Sequence, residues 1–237
     1  MKISLGKKLS IMFAYLKELF PNPETELHYS TPFQLVVAVM LSAQATDLQV
    51  NKVTEVLFQE IKKPEDLLTM GFAKFELGIS SINYYKTKAK HIYETALLLV
   101  KSEKLKVKND GKKKHKDGIP DTLKELMKLP GIGVKTAKLI LHVVYDKPYI
   151  AVDTHIHRVA NRLWLVKTIS PEKTSELLEK LIPDEYKDHA HHALVLFGRY
   201  YCKAVKPKCE DCKLKKICEY YNTNVIASEA KQSKFYK

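Results

Sequence analysis

The stretch Leu129-Pro130-Gly131-Ile132-Gly133-Val134-Lys135-Thr136-Ala137 decides how the rest of the chain is read. A helix expected over Asp121–Leu129 must stop at Pro130, the chain turns through two glycines, and a second helix starts near Val134. Gly131 and Gly133 allow backbone angles closed to other residues and put no side chain in the way. Their amides, with those of the next helix's first turn, would face outward at a helix N-terminus. Such a cradle suits a DNA phosphate and ignores the base. Leu129 and Ile132 flank the glycines, and Ala137, Ile140, Leu141 and Val144 form a stripe that the second helix can bury. A tight turn between two packed helices would use the same glycines, so the phosphate reading needs support from elsewhere.

Charge supplies some of it. The 237 residues carry a formal net charge of +13 and are 45% apolar, enough for a substantial core and for an acidic polymer as partner. Gly and Pro are sparse and strand-like alternation is nearly absent, so the fold class is all-α. Helices are expected over Leu9–Phe20, Pro32–Met40, Asp47–Glu60, Thr87–Val100, Asp121–Leu129, Val134–Val144, Thr154–Leu163, Pro171–Leu181 and His189–Tyr201. Asp47, Asp121, Asp153 and Ser170 are the natural caps. Lys101–Lys116, with eight lysines and two acids, reads as a mobile basic loop, either sliding along phosphates or merely solvated. The chain after Tyr221 lacks apolar periodicity and reads as a frayed tail. The N-terminal run Leu9–Leu16 is broken by Lys17 and Glu18, so it is an amphipathic helix rather than a signal peptide. The uncharged stretch Tyr29–Thr46 contains too many polar residues for a membrane span. A soluble, cytoplasmic, monomeric protein is expected.

All four cysteines fall in one short segment, spaced Cys202-x6-Cys209-x2-Cys212-x5-Cys218. Disulfides staple distant loops, whereas thiols packed this closely suggest a metal centre. Structural zinc usually takes two close cysteine pairs, and only one is present; four thiolates also suit a [4Fe–4S] cluster, though not at ferredoxin spacing. Ligand chemistry leaves both open. His189, His191 and His192 read as packing or surface residues, since four thiolates complete a site.

Several segments, in order, resemble the endonuclease III superfamily of helix-hairpin-helix base-excision glycosylases. They are Leu41-Ser42-Ala43-Gln44-Ala45-Thr46-Asp47, the hairpin Leu129–Ala137, Ala151-Val152-Asp153-Thr154-His155-Ile156-His157-Arg158-Val159, and Gly198-Arg199-Tyr200-Tyr201-Cys202 with the later cysteines. The resemblance covers about Leu9 to Tyr221. It implies two helical domains: 24–147 with the hairpin, and 1–23 joined to 148–221 with the cluster, the active site lying in the cleft between them. It also turns the cysteine set towards a [4Fe–4S] cluster that shapes a basic loop, with Lys206 and Lys208 near phosphates.

Lys135 and Asp153 fall on the family's nucleophile and catalytic aspartate. The resemblance therefore implies a bifunctional DNA glycosylase and AP lyase, acting on double-stranded DNA with oxidised pyrimidines or abasic sites. A lysine amine would attack C1′, displace the base and leave a Schiff base from which β-elimination cuts the strand. From residue types alone, Lys135 could be a phosphate contact and Asp153 a helix cap. The target nucleotide must be flipped out. Gln44 matches the family's inserting glutamine, with Ser42 and Thr46 as polar contacts. Leu129, Gly131, Ile132, Gly133, Thr154 and His155 complete the expected DNA surface. Asn83 stands where a glycine is usual, Tyr84 where an aliphatic wedge often sits, and Val134 where a basic residue is common. A relative removing adenine from mispairs, and a non-catalytic DNA-binding module with a zinc knuckle, are the rival readings; Lys135 opposes the first, and pairing Lys135 with Asp153 opposes the second.

Overall fold

The computed structural model describes residues 3–109 and 116–225. Eleven α-helices run through them: α1 (Leu5–Leu19), α2 (Pro32–Ser42), α3 (Asp47–Glu60), α4 (Pro64–Met70), α5 (Phe72–Gly78), α6 (Tyr85–Asn109), α7 (Leu123–Leu126), α8 (Val134–Tyr145), α9 (Thr154–Arg162), α10 (Pro171–Leu181) and α11 (Asp184–Tyr200). No strand occurs among the described residues, as an all-α chain requires. The chain forms two compact units, Thr25–Lys147 and Met1–Glu24 with Pro148–Lys237.

The first unit is organised around α2. Phe33 to Leu41 are all buried, because this helix is apolar on every side. It packs against α3, α6 and α8. Its start is a capping box: the Thr31 hydroxyl accepts from the Gln34 amide, and the Gln34 side chain accepts from the Thr31 amide. The same buried Gln34 donates to the carbonyls of Phe58 at 3.1 Å and Ile61 at 2.7 Å, so its burial leaves no orphaned amide. No helix of the described residues is long and apolar enough to cross a membrane.

In the second unit, Leu9, Met12, Phe13, Tyr15 and Leu16 of α1 share one core with Ile156, Val159 and Ala160 of α9, Leu178 of α10, and Ala190, Ala193, Leu194 and Phe197 of α11. Cys202, Cys212 and Cys218 pack on its edge with Leu214 and Ile217. The amphipathic N-terminal helix therefore finds its partners more than a hundred residues away.

Several boundaries differ from the sequence reading. Thr46 and Thr122 cap α3 and α7 instead of the aspartates beside them, since the threonines hold the extended backbone a cap needs; Asp47 sits in the first turn of α3, where it complements the helix dipole. α7 keeps only four residues. Beyond it, Lys128 and Leu129 donate to Glu125 and Leu126 three residues back, a tightened winding that steers the chain into the hairpin. α4 and α5, seven residues each, are too short for their periodicity to stand out. α6 runs on to Asn109 through the lysine-rich stretch, lysine being a good helix former; 110–115, at the centre of the expected basic loop, lie outside the described residues. α11 begins at Asp184 rather than His189, with Asp184 and Glu185 in its first turn. Tyr221–Val225 form a π-turn where a frayed tail was expected, and the chain beyond lies outside the described residues.

Candidate nucleic-acid interface and metal centre

In the hairpin the two glycines do different work. Gly131 has φ +76, and a Cβ there would sit 2.9 Å from His91 Cβ and 3.0 Å from Met40 Cε. It is a glycine for both backbone and packing reasons. Gly133 has φ −89 and ψ 178, open to any residue, so its expected special backbone does not exist. A Cβ at Gly133 would meet nothing within 4 Å. Its bareness leaves space in front of the N-terminus of α8, where no side chain caps the first-turn amides. Leu129 and Ile132 are buried, so this pair can offer a phosphate only backbone groups. Thr95 of α6 donates to the Pro130 carbonyl at 3.1 Å and braces the turn. Lys135 is exposed as the second residue of α8, whereas Lys138, one turn on, is buried and poorly placed for phosphate.

A second feature of this unit joins two loops. Ser42 to Ala45 and Ile82 to Tyr85 each close with an amide-to-carbonyl bond, Ala45 to Ser42 and Tyr85 to Ile82. Their third residues, Gln44 at φ 56 and Tyr84 at φ 59, hold the left-handed conformation that non-glycine residues avoid, and both side chains are exposed. The Asn83 side-chain amide donates to the Gln44 carbonyl at 3.1 Å, and Gln49 donates to the Ser81 carbonyl at 2.7 Å. Beneath them, Lys88 of α6 donates to the carbonyls of Leu41 at 2.8 Å and Ala43 at 2.6 Å, burial lowering its pKa from the usual lysine value. Ser42 and Thr46 are engaged locally: the Ser42 hydroxyl donates to the Val39 carbonyl, and that of Thr46 caps α3. Lys88, His91 and Thr95 share one face of α6, which thus supports both the paired loops and the hairpin. Lys88 looked like one lysine among many in sequence; its spacing from the other two was the available signal.

In the other unit Asp153 caps α9, its carboxylate accepting from the Ile156 amide at 2.8 Å. The segment before it is held by α10, where Ser175 donates to the Ile150 carbonyl and Glu179 accepts from the Ile150 amide. Thr154 is exposed and His155 half-buried; the backbone of His155 lies so close to Gly198 that a Cβ there would come within 3.0 Å of its carbonyl oxygen.

The four thiols line one solvent-open recess, with Leu163, Phe197, Tyr201 and Pro207 among its other walls. No group of three or more His, Cys, Asp or Glu among the described residues is arranged to hold a metal ion. By ligand chemistry, four thiols around one recess suit either a structural zinc or a [4Fe–4S] cluster. Burial pushes Cys212 up to about 11, the other three sulfurs adding to the rise and the Leu214 amide opposing it. Cys209 and Cys218 rise for the same first reason. Bound cations reverse this by holding the thiolates deprotonated.

The cysteine loop is pinned by two arginines that sequence reasoning passed over. Arg158 donates to the Cys202 carbonyl at 2.9 Å and the Gly198 carbonyl at 2.6 Å. Arg162 donates to the Lys203 carbonyl at 2.6 Å, the Ala204 carbonyl at 3.1 Å and Cys202 Sγ at 3.6 Å, and its guanidinium lies 4.1 Å from the centre of the Tyr220 ring. The chain has only three arginines among 40 basic residues, a signal that a planar fork, not mere charge, is needed here. Lys206 and Lys208 are exposed on this loop, and Lys206 has φ 49.

A family model described as "HhH-GPD superfamily base excision DNA repair protein" matches residues 37–184. The chain belongs to the HhH-GPD superfamily. It is 42% identical over 207 residues to the endonuclease III of Rickettsia felis, covering 87% of this chain and 92% of that protein. Against the endonuclease III of Escherichia coli K12 the figures are 40% over 215 residues, 91% and 96%. A solved non-covalent endonuclease III–DNA complex superposes with a TM-score of 0.82 at 34% identity, over 94% of this chain and 99% of that one. A trapped endonuclease III–DNA covalent intermediate matches equally well, with a TM-score of 0.82. This HhH-GPD protein is a base excision repair enzyme, a DNA glycosylase with AP lyase activity.

Proposed function

We propose that this enzyme excises oxidised pyrimidines from duplex DNA with Lys135 as nucleophile and Asp153 as its acid–base partner, and then nicks the strand by β-elimination. The observation that carries the reading is the position of Lys135. It is exposed on the first turn of α8, two residues after Gly133, a cap position with no side chain over the helix amides. A phosphate seated on those amides would hold its nucleotide within reach of the amine. A relative 34% identical was trapped as a covalent endonuclease III–DNA intermediate, which is what such a nucleophile forms.

The steps follow from the chemistry. The Lys135 Nζ, as free amine, attacks C1′ of the flipped nucleotide; the C1′–N bond breaks and the base leaves with that electron pair. The sugar ring then opens to an imine between C1′ and Nζ. Loss of a C2′ proton expels the 3′ phosphate, and water releases the enzyme. The Asp153 carboxylate, oriented by the Ile156 amide, stabilises positive charge developing on the sugar and helps move the protons released in these steps. Gln44 and Tyr84 occupy the space the nucleotide leaves. Cys202, Cys209, Cys212 and Cys218 would hold a [4Fe–4S] cluster. Its contribution when bound is to cross-link four points of the C-terminal segment, keeping Lys206 and Lys208 near phosphates.

The test is borohydride trapping on a duplex with one oxidised thymine, comparing wild type with Lys135→Gln. An adduct with wild type alone supports the reading. Cluster-loaded wild type that forms no adduct there or on an abasic duplex overturns it.

A further inference from the structure

Gln44 and Tyr84 present their side chains from two separate turns, each at a left-handed position, and the Asn83 Nδ2 donates from the Tyr84 turn to the Gln44 carbonyl at 3.1 Å. We propose that Asn83 is a positioning residue that locks the Gln44 and Tyr84 turns into a single rigid probe, so that both side chains enter the base stack together.

A left-handed non-glycine residue is disfavoured by about 1–2 kcal/mol and persists only where its surroundings over-determine it. For Gln44 they do. Lys88 fixes the Leu41 carbonyl just before the turn and the Ala43 carbonyl within it, the Ala45 amide closes it on Ser42, and Asn83 occupies the carbonyl of Gln44 itself. Tyr84 adjoins Asn83 directly, so the residue that fixes Gln44 is part of the turn that presents Tyr84. The Gln49 bond to the Ser81 carbonyl gives a second tie between the same segments. Only a donor can satisfy that carbonyl, which fixes the orientation of the Asn83 amide. Tyr84 itself is 68% exposed, a large ring held outward with its backbone constrained. Two exposed side chains on independent loops would each have to be ordered during insertion. Tying them in advance removes most of that ordering from the binding step.

The proposal rests on the glycosylase reading above, and the experiment separates the two. Single-turnover excision of an oxidised thymine is measured in a fully paired duplex and in the same duplex with the lesion in an unpaired bubble, where extrusion meets little resistance. Asn83→Ala and the isosteric Asn83→Asp, which replaces the donor by an acceptor, are each expected to slow the paired substrate by about five- to tenfold, the worth of one positioned hydrogen bond. The bubble should be processed at the wild-type rate. In a Gln44→Gly background the Asn83→Ala effect should shrink, because one of the two side chains it positions is gone. Equal slowing of both substrates, no slowing of either, or full additivity with Gln44→Gly overturns the proposal while leaving the glycosylase reading intact. Cluster-loaded wild type inactive on both substrates overturns the glycosylase reading, and the proposal with it.

Discussion

Replacing each hairpin glycine by alanine in turn should produce two different injuries from the same added methyl. At Gly131 the left-handed backbone disfavours alanine by about 1–2 kcal/mol. The new Cβ would also lie 2.9 Å from His91 Cβ and 3.0 Å from Met40 Cε. Overpacking of that kind typically adds about 1–3 kcal/mol. The reduced freedom of the unfolded chain returns about 0.4–1 kcal/mol. The net loss is roughly 2–4 kcal/mol, a drop in melting temperature on the order of 10 °C for a protein of this size. At Gly133 the backbone is ordinary and nothing lies within 4 Å of a Cβ. A glycine cap replaced by alanine loses about 0.5 kcal/mol, which the unfolded-state gain offsets. Gly133→Ala should therefore melt close to wild type, while its methyl stands in front of the α8 amides. Loss of one charge-assisted phosphate contact, about 1.5–3 kcal/mol, weakens binding to an abasic-analogue duplex by tenfold or more. Circular dichroism melts and fluorescence anisotropy at one fixed salt concentration read the two effects. If Gly133→Ala bound DNA as wild type does, or if the two variants melted together, the two glycines would not divide the work in this way.

Three further outcomes are expected. Gln44→Gly relieves a left-handed non-glycine residue and so should leave thermal stability unchanged or raised by about 1 kcal/mol, while excision from paired duplex falls; a clear loss of stability would mean the Gln44 side chain is structural. Asp153→Asn keeps a good cap, so its melt should stay within about 0.5 kcal/mol of wild type while base release slows severely; Asp153→Ala should lose about 1 kcal/mol as well. A turnover for Asp153→Asn equal to wild type would reduce this residue to a cap. Arg162→Lys preserves charge but cannot reproduce the forked contacts to Lys203, Ala204 and Cys202, so the cluster's visible absorbance should decay faster in air; identical decay would show the fork to be dispensable.

Much was legible in the chain because it is local. Helical periodicity, the Pro-Gly-x-Gly interruption, the Ser170–Pro171 start of α10 and the Asp153 cap depend on residues within a turn or two of one another, and these appear in the structure. The gathering of the four cysteines around one recess was legible for the same reason. Periodicity was silent on α4 and α5, which are only two turns long, and misleading at α7, where the tightened turns before the hairpin end the helix early.

What only the tertiary structure decided concerns partners distant in sequence. Nothing local distinguishes Gly131 from Gly133; His91 and Met40, brought in by α6 and α2, make one of them obligatory and leave the other bare. Asn83 and Gln44 are 39 residues apart, and Lys88 and Leu41 are 47 apart, so the tie between the two turns exists only once α2, α3 and α6 have packed. Arg162 meets Lys203 across 41 residues. Hydrogen bonds and steric contacts act over a few ångströms of space, whereas sequence records separation along the chain; the two coincide within a helix turn and part company wherever the core folds the chain back on itself.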